Sequence, residues 1–506
     1  MTPSSRLFHL TWIGTLALKL ALAAWFPVFG DEAYYLSWAR EWAGGYYDHP
    51  PMVAWMAWSF RHLSSAIVVQ RLPAVVLTTV LGFLVYRSVR RADPERARYA
   101  AVLYWLAPIH VLPVMMTPDI GLLLFGASSI ELGFLALQGG GAALAIGAGA
   151  MLGLAFLSKY FALLVGLAFL VYGLVARDRR RWAAVLGWAF VGFLPFLAFH
   201  LYWNQQNCWA NLVFHASNRN IGIDLSATHW GEFLLQQIYL ATPFLLFFVF
   251  RRGREVLALV REPEARYQAV HYLVPILIFG LSALRIGQGV HWSLLFYVPY
   301  YVLVGRVLEP ATLKRAALLM MAFLLLHLAP VTFFAGAPLE FWRNLPRFRD
   351  ITLFTKSEEV AEIVRSAVRE GDLVAAENYS MSSVLEHHLG TPVMVFGTGS
   401  KFGRQDDLYF DFKKLDGRDV LVFVYYALGP ADLAPYFESV EESRFTVRGV
   451  EYHLYRGRKF RFAAYRERVL REIQNRYYRP PAWAPPASCP FLERNDLLAA
   501  PEKSGV

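Results

Sequence analysis

Charge and cysteine are the two things this sequence has little of. Only 17% of its 506 residues are charged, against about 25% in a soluble globular chain. Two cysteines, Cys208 and Cys489, are too few for a disulfide-built scaffold. The motifs of soluble enzyme chemistry are missing as well. There is no Walker loop and no dinucleotide fingerprint followed by an acidic residue, and Gly139-Gly140-Gly141 is too short and apolar to replace one. Neither a GxSxG elbow nor CxxC or HExxH zinc spacing occurs. Nucleotide-driven transport is thereby set aside.

What is present is apolar surface. Hydrophobic residues make up 56% of the chain, with 15 Trp, 26 Tyr and 38 Phe, and the mean hydropathy is +0.35. That aromatic load is typical of bilayer proteins with interfacial belts. The composition specifies a polytopic membrane protein. Its net charge of +10 is uneven: residues 335–506 hold 24 basic and 24 acidic residues, residues 1–334 hold 25 and 15. Arginines flanking membrane helices account for that sign, so no nucleic-acid partner is expected.

Apolar stretches of near bilayer-crossing length recur from the start. The first, Leu7 to Phe29, is too long for a signal peptide and lacks a small-residue cleavage site, so it reads as a retained anchor. Ten more fall near 66–86, 99–116, 120–137, 142–157, 160–176, 182–203, 233–250, 267–284, 292–308 and 315–334. The expected architecture is therefore a mainly α bundle of about eleven transmembrane helices over residues 1–334. Four arginine clusters then fall on one side: Arg87 to Arg98, Arg177 to Arg181, Arg251 to Arg266, and Arg306 with Lys314 and Arg315. The positive-inside rule makes that side cytoplasmic. The opposite loops, 30–65, 117–119, 158–159, 204–232 and 285–291, carry only Arg40, Arg61, Lys159, Arg219 and Arg285.

Beyond about Phe341 the chain changes character. Lys356–Glu370 reads as an amphipathic helix, and Leu373–Ala376, Pro392–Phe396, Val420–Tyr425 and Arg444–Tyr455 read as strands. A basic helix, Phe462–Tyr478, precedes the proline-rich stretch Pro480–Pro490. Residues 341–506 are thus expected to form a soluble α/β domain on the outer, periplasmic side. Both cysteines fall on that side, where a disulfide is permitted. Two solitary cysteines this far apart are more often unpaired, and that is the expectation.

Ionisable residues in or at the ends of membrane segments are costly and usually mark function. Here they are Asp31, Glu32, Asp48, His49, Arg71, Asp119, Glu131, Lys159, Arg285 and His291. All but Arg71 and Glu131 lie at outer span ends, although the orientation was assigned from other residues. Asp31-Glu32-Ala33-Tyr34-Tyr35 and Tyr46-Tyr47-Asp48-His49-Pro50-Pro51 share the first outer loop. Two adjacent carboxylates there suit a general base and a metal ligand, and an acidic loop ending a helix would read the same way. Asp119 suits a site carboxylate and also a helix start. Lys159 suits snorkelling or neutralising a lipid phosphate. Arg285 and His291 bracket a glycine-containing loop that suits phosphate. Arg71 needs a partner, for which a first-loop carboxylate is available, and Glu131 suits pairing within the bundle.

These residues carry a resemblance. Asp31-Glu32-Ala33-Tyr34-Tyr35, Asp48-His49-Pro50-Pro51, Arg71-Leu72-Pro73, Thr117-Pro118-Asp119 and Leu157-Ser158-Lys159-Tyr160, in that order, resemble the GT-C glycosyltransferases, in the aminoarabinose-transferase and protein-mannosyltransferase-like branch. The resemblance implies a polyprenyl-phosphate sugar donor in the outer leaflet and transfer with inversion. Asp31, with Glu32 as second candidate, would deprotonate the acceptor hydroxyl. Asp119, with Glu32 and His49, would hold a divalent metal, the one cofactor the resemblance admits; no nucleotide is needed. Lys159, Tyr160, Arg285 and His291 would meet the donor phosphate. Tyr34, Tyr35, Asp48, His49 and Arg71 would shape the substrate loop. One departure stands out: the Arg285 to Trp292 loop lacks the Asn-Trp-Pro pattern common in relatives.

The implied acceptor is lipid A, lipopolysaccharide or another envelope glycan, with protein hydroxyls as the alternative. A flippase of a lipid-linked saccharide is the reading from another class. It would place polar residues near the midplane and repeat its halves, and neither is seen. The compact architecture without a eukaryotic-type retention signal points to a bacterial inner membrane.

Overall fold

The computed structural model describes residues 2–220, 225–425, 428–480 and 484–498; residues 481–483 of the expected proline-rich stretch lie outside them. The chain divides into two compact units. One contains residues 1–26, 55–199 and 222–336; the other contains 27–54, 200–221 and 337–506. Residues 30–54 of the first outer loop thus group with the C-terminal residues rather than with the helical bundle, a grouping that sequence order alone does not suggest.

The first unit is helical, and a helix or a broken pair of helices occupies every expected span. Among the described residues, five stretches are long and apolar enough to cross a membrane: Pro3–Trp25, Leu72–Arg90, Pro118–Phe156, Arg179–Gln206 and Pro310–Gly336. Ala227–Ala241 with Pro243–Phe250, bent by 78°, makes six if taken as one span. The bend falls where Thr242 adopts a φ of 65° and Pro243 opens the next helix, because proline cannot donate the hydrogen bond that continuation needs. Pro118–Phe156 folds back on itself at Gly139 and Gly141, whose φ angles of 123° and 74° suit glycine alone. After this reversal the Ser129 hydroxyl donates to the Ala148 carbonyl at 2.8 Å.

Small residues let helices close up where lipid supplies no hydrophobic drive. A Cβ on Gly149 would stand 1.7 Å from the Ala189 carbonyl oxygen, and one on Gly192 would stand 2.1 Å from that of Ile146. Helix Pro310–Gly336 points Leu318, Leu325, Leu326 and Phe334 outward, an apolar exposure that water does not support. All four arginine clusters meet at one end of this unit. Arg91 pairs with Glu264 at 2.7 Å and Arg306 with Glu262 at 2.5 Å. Arg177 donates to the Arg261 carbonyl and Arg266 to that of Val175. Glu131 belongs to this end too, accepting from Arg91 at 2.5 Å and from the Ser88 hydroxyl at 2.8 Å.

The second unit is built on a mixed five-stranded sheet of β1 (Leu373–Ala376), β2 (Val393–Val395), β3 (Val420–Val424), β4 (Ser439–Val447) and β5 (Val450–Arg458), ordered β2-β1-β3-β5-β4. β1 lies parallel to β2 and β3, while β5 runs antiparallel to β3 and β4. The period of two sorts its side chains between two layers. Leu421 and Phe423 face helices Ser357–Ala367 and Tyr379–Leu389, through Val360, Val364, Met381 and Leu385. Val420 and Val422 face Tyr465, Val469 and Ile473 on the other side. Both faces being covered, β3 reads Val-Leu-Val-Phe-Val without a polar break.

Three expectations change. Arg444–Tyr455 is a hairpin of β4 and β5 rather than one strand, because Arg448 and Gly449 take φ angles of 50° and 82°, the turn that two-residue hairpins favour. The first outer loop is partly helical, over Gly30–Trp38 and Met52–Arg61. The cysteines are paired: Cys208 and Cys489 form a disulfide across 281 residues, Cα to Cα 4.5 Å. Their flanks lie side by side, with the Cys208 amide donating to the Ser488 carbonyl at 2.8 Å and the Ser488 amide to that of Gln205 at 3.0 Å. Replacing both cysteines by serine is expected to cost about 2–5 kcal/mol. The check is a fall in unfolding midpoint that reductant reproduces in the wild type and not in the variant; a midpoint indifferent to both would remove the bond from the fold's support.

Candidate functional site

The residues expected to act divide between the two units. In the second unit, Asp31 and Glu32 occupy the first turn of helix Gly30–Trp38, where the helix dipole favours carboxylates. Successive helical residues point about 100° apart, so the two differ sharply: Asp31 is exposed, while Glu32 is 1% exposed. The Tyr379 hydroxyl donates to Asp31 Oδ1 at 2.9 Å. Tyr379 opens helix Tyr379–Leu389, which Asn378 caps by accepting from the Met381 amide. The two helix starts approach closely because Gly30 has no side chain; a Cβ there would stand 1.7 Å from Ser380 Oγ. Burial, then the Asp31 charge, pushes the Tyr379 phenol above its usual range, so it stays a donor.

Asp48 is the buried member of the loop. Its Oδ2 accepts from the Gly403 amide at 2.9 Å and its Oδ1 from the Tyr34 hydroxyl at 3.3 Å. Tyr34 accepts in turn from the Gln405 amide at 3.1 Å. Gly403 has a φ of 68°, and a Cβ there would strike the Tyr379 ring at 1.9 Å. Desolvation pushes the Asp48 carboxyl up to about 7, against the opposing pull of the Gly403 amide, Tyr34 and Arg404. His49 sits with its ring 5.7 Å from Tyr35 and 5.8 Å from His215, and His215 Nε2 lies 2.8 Å from the Asp48 carbonyl oxygen. Asn211 donates to the carbonyls of Tyr46 and Tyr47. Behind them Arg404 is buried on Asp407, at 2.6 and 3.1 Å.

In the helical unit Asp119, Lys159 and His291 converge. Thr117 is the N-cap of helix Pro118–Leu135 and Asp119 lies in its first turn, so Asp119 starts the helix without capping it. Lys159 Nζ donates to both Asp119 oxygens, at 2.8 and 3.0 Å. Its ammonium lies 5.1 Å from the centre of the Phe161 ring, a cation–π distance. His291 Nε2 is 3.9 Å from Asp119 Oδ2 on a half-exposed ring. The cluster stands at the opposite end of Pro118–Leu135 from Glu131 and the arginines, about 18 Å away by helical rise. Tyr160 packs its ring 5.3 Å from Phe156. Arg285 is exposed at the other end of its loop and makes no ion pair among the described residues. Arg71 is fully buried, donating at 2.8 Å to the carbonyls of Ala23 and Phe26. It thereby satisfies the last turn of the first helix, whose carbonyls have no intrahelical donors.

At Asp119 the lysine ammonium competes with any divalent metal by donating to both carboxylate oxygens. Among the described residues no group of three or more His, Cys, Asp or Glu side chains converges as metal ligands. Sequence reasoning also passed over Tyr379 and the Gly403–Asp407 segment. Charged residues are ordinary in a soluble domain, and nothing local marks these as partners of a loop some 350 residues earlier.

The chain is similar in sequence and fold to known proteins. A family profile described as dolichyl-phosphate-mannose-protein mannosyltransferase matches residues 48–203. The lipid A galacturonosyltransferase RgtD of Rhizobium johnstonii is 28% identical over 212 residues, which is 40% of this chain and 42% of that protein. The matched part thus spans less than half the length of that curated relative. The structure of ArnT from Cupriavidus metallidurans in the apo state superposes with a TM-score of 0.67 at 15% identity, over 90% of this chain and 98% of that one. The same protein bound to undecaprenyl phosphate gives 0.64 at 15% identity, over 88% and 97%.

Two expectations follow from the geometry. Burial holds Asp48 protonated in the folded chain at pH values where the unfolded chain has released that proton, so its contribution to stability is lost as pH rises from the usual carboxylate range to about 7. The thermal midpoint of Asp48→Asn minus that of the wild type should therefore grow between pH 5 and pH 8; a constant difference would rule the raised carboxyl out. Lys159→Met strands a buried carboxylate and should cost about 3–5 kcal/mol. Adding Asp119→Asn should restore most of it, and failure to do so would mean that the pair is not the cause. The chain has the fold of ArnT and resembles the GT-C glycosyltransferases of the aminoarabinose-transferase and mannosyltransferase-like kind.

Proposed function

We propose that this chain is a membrane glycosyltransferase that moves a sugar from a polyprenyl phosphate to a lipid or glycan acceptor, with lipid A as the acceptor class of first choice. The observation that carries this reading is Asp31: an exposed carboxylate at a helix start, held by the Tyr379 hydroxyl at 2.9 Å. The full-length likeness to ArnT, which is known bound to undecaprenyl phosphate, supports the donor. The likeness to RgtD supports the acceptor. The protein is read as an eleven-span inner-membrane protein with its C-terminal domain in the periplasm. In support, the arginine clusters gather at one end of the bundle, and the disulfide suits an oxidising compartment.

Asp31 takes the proton of the acceptor hydroxyl while that oxygen bonds to the anomeric carbon from the face opposite the donor phosphate. The bond from that carbon to the phosphate oxygen breaks, and the electron pair leaves on the phosphate. Cations then stabilise charge as it develops, usually the greatest single contribution to such catalysis. Lys159 already neutralises Asp119, which leaves Arg285, with His291, as the groups best suited to the phosphate. Tyr160 remains assigned to the donor phosphate, Tyr35 and His49 to the substrate loop, with Glu32 as the reserve base.

The test uses purified protein in lipid nanodiscs with a panel of undecaprenyl-phosphate hexoses and pentoses and lipid A. Asp31→Asn should lower transfer about a hundredfold or more. Tyr379→Phe should lower kcat about tenfold with KM little changed, because it disorders the base and leaves binding intact. Transfer at wild-type rates in Asp31→Asn would remove Asp31 from the role. Glycosylation of added peptide but not of lipid A would move the acceptor to protein, and lipid-linked sugar crossing between leaflets without transfer would establish the flippase.

A further inference from the structure

The second unit holds a cleft, separate from Asp31 and Asp48, of about 180 Å³, smaller than the pockets that enclose drug-sized ligands. Three chain segments line it: the end of helix Gly30–Trp38 with the turn to Tyr46, residues 203–207, and residues 386–409. Its aromatic wall presents the half-buried Trp203, with buried Trp38 and Tyr46 beside it. Trp38 stacks flat on Tyr46, 4.4 Å apart and 5° from parallel. Trp203 lies against Gly45, where a Cβ would come within 2.5 Å of the indole.

The polar groups of the cleft are both donors and acceptors. Trp38 is 3% exposed, and its Nε1–H finds no acceptor among the described residues. Gln405 uses its Oε1 on the Tyr47 amide, which keeps its NH2 for a ligand. Asn207 uses its Nδ2 on the Trp203 carbonyl, which keeps its Oδ1. The Trp38 N–H is itself enclosed, so the polar groups left for a ligand are the Gln405 NH2 and the Asn207 Oδ1. Arg40 pairs with Glu386 at 3.0 Å and Glu41 lies at the rim, so the lining carries one positive and two negative charges.

From this arrangement we propose that the cleft binds one neutral pyranose ring of a glycan. An aromatic face meets the C–H face of a sugar, and mixed donors and acceptors match hydroxyls, each of which does both. The negative balance disfavours phosphate and uronate groups, so this is not a second seat for the polyprenyl phosphate. It is a docking subsite for saccharide, and its occupancy requires no transfer.

The test is saturation-transfer NMR and tryptophan fluorescence on the full chain in nanodiscs. The probes are methyl glucoside, methyl galactoside, galacturonate and glucose 6-phosphate. The neutral glycosides should bind at millimolar concentrations, and the two anions at least tenfold more weakly. Trp203→Ala should abolish binding, while Asn207→Ala should weaken it several-fold with an unchanged thermal midpoint. Glu41→Gln should narrow the preference against the anions. Should Trp203→Ala fail to fold, Trp203→Phe, which keeps an aromatic face, is expected to retain weaker binding. No binding by any neutral glycoside, binding indifferent to Trp203 and Asn207, or anions binding as well as neutral sugars would each overturn the proposal. None of these readouts depends on glycosyl transfer, so the proposed activity stands or falls separately.

Discussion

The buried carboxylate of Asp48 is the pin on which the second unit depends. A single side chain receives the Gly403 amide and the Tyr34 hydroxyl, joining the first outer loop to a segment 355 residues further along. Burying it costs free energy, as its carboxyl pushed up to about 7 records. The surrounding structure offsets that cost in two ways. Gly403 has no Cβ to push Tyr379 away, and Asn211 and His215 hold the backbone on either side of the carboxylate. With Asp48 fixed, helix Gly30–Trp38 lies against Tyr379–Leu389, and Asp31 acquires the phenol that orients it. Loosening the pin therefore reaches the proposed base without touching it.

The helical unit solves a different problem. Its charges must be either neutralised or kept at the ends of helices, because the bilayer interior supplies no counter-charge. Arginines and their glutamates take one end, and the Asp119–Lys159 pair takes the other. Arg71, also charged, is tolerated while fully buried because it meets the last carbonyls of the first helix. A lysine that already neutralises an aspartate has little field left for a phosphate, which is why the proposed phosphate contact is given first to Arg285.

Much of this was legible in the sequence. Hydropathy located the helices, and arginine parity put the four arginine clusters at one end, where ion pairs and hydrogen bonds join them. Asp119, Lys159 and His291 were singled out separately and come together. Long-range partners were not legible, for a physical reason. A hydrogen bond to an amide, such as Gly403 to Asp48, leaves no trace in side-chain identity, and Tyr379 is one of 26 tyrosines. The cysteines misled because separation along the chain says nothing once segments 205–209 and 485–489 lie side by side. The β4–β5 hairpin was hidden by an alternating pattern that runs straight through its two-residue turn.

The adjacent pair Asp31 and Glu32 differs in a way that sequence position does not show. Both carboxylates stand at a helix start and share the same dipole, so neither sequence position nor backbone field distinguishes them. The helical turn does: one residue's rotation carries Glu32 to 1% exposure and leaves Asp31 at the surface. A general base must reach the proton it removes, which a carboxylate enclosed by protein does only after rearrangement. Asp31 also accepts a hydrogen bond from Tyr379 that fixes one oxygen and leaves the other for a hydroxyl. The proposed preference for Asp31 thus rests on a rotation of about 100° and the phenol of a residue 348 positions away.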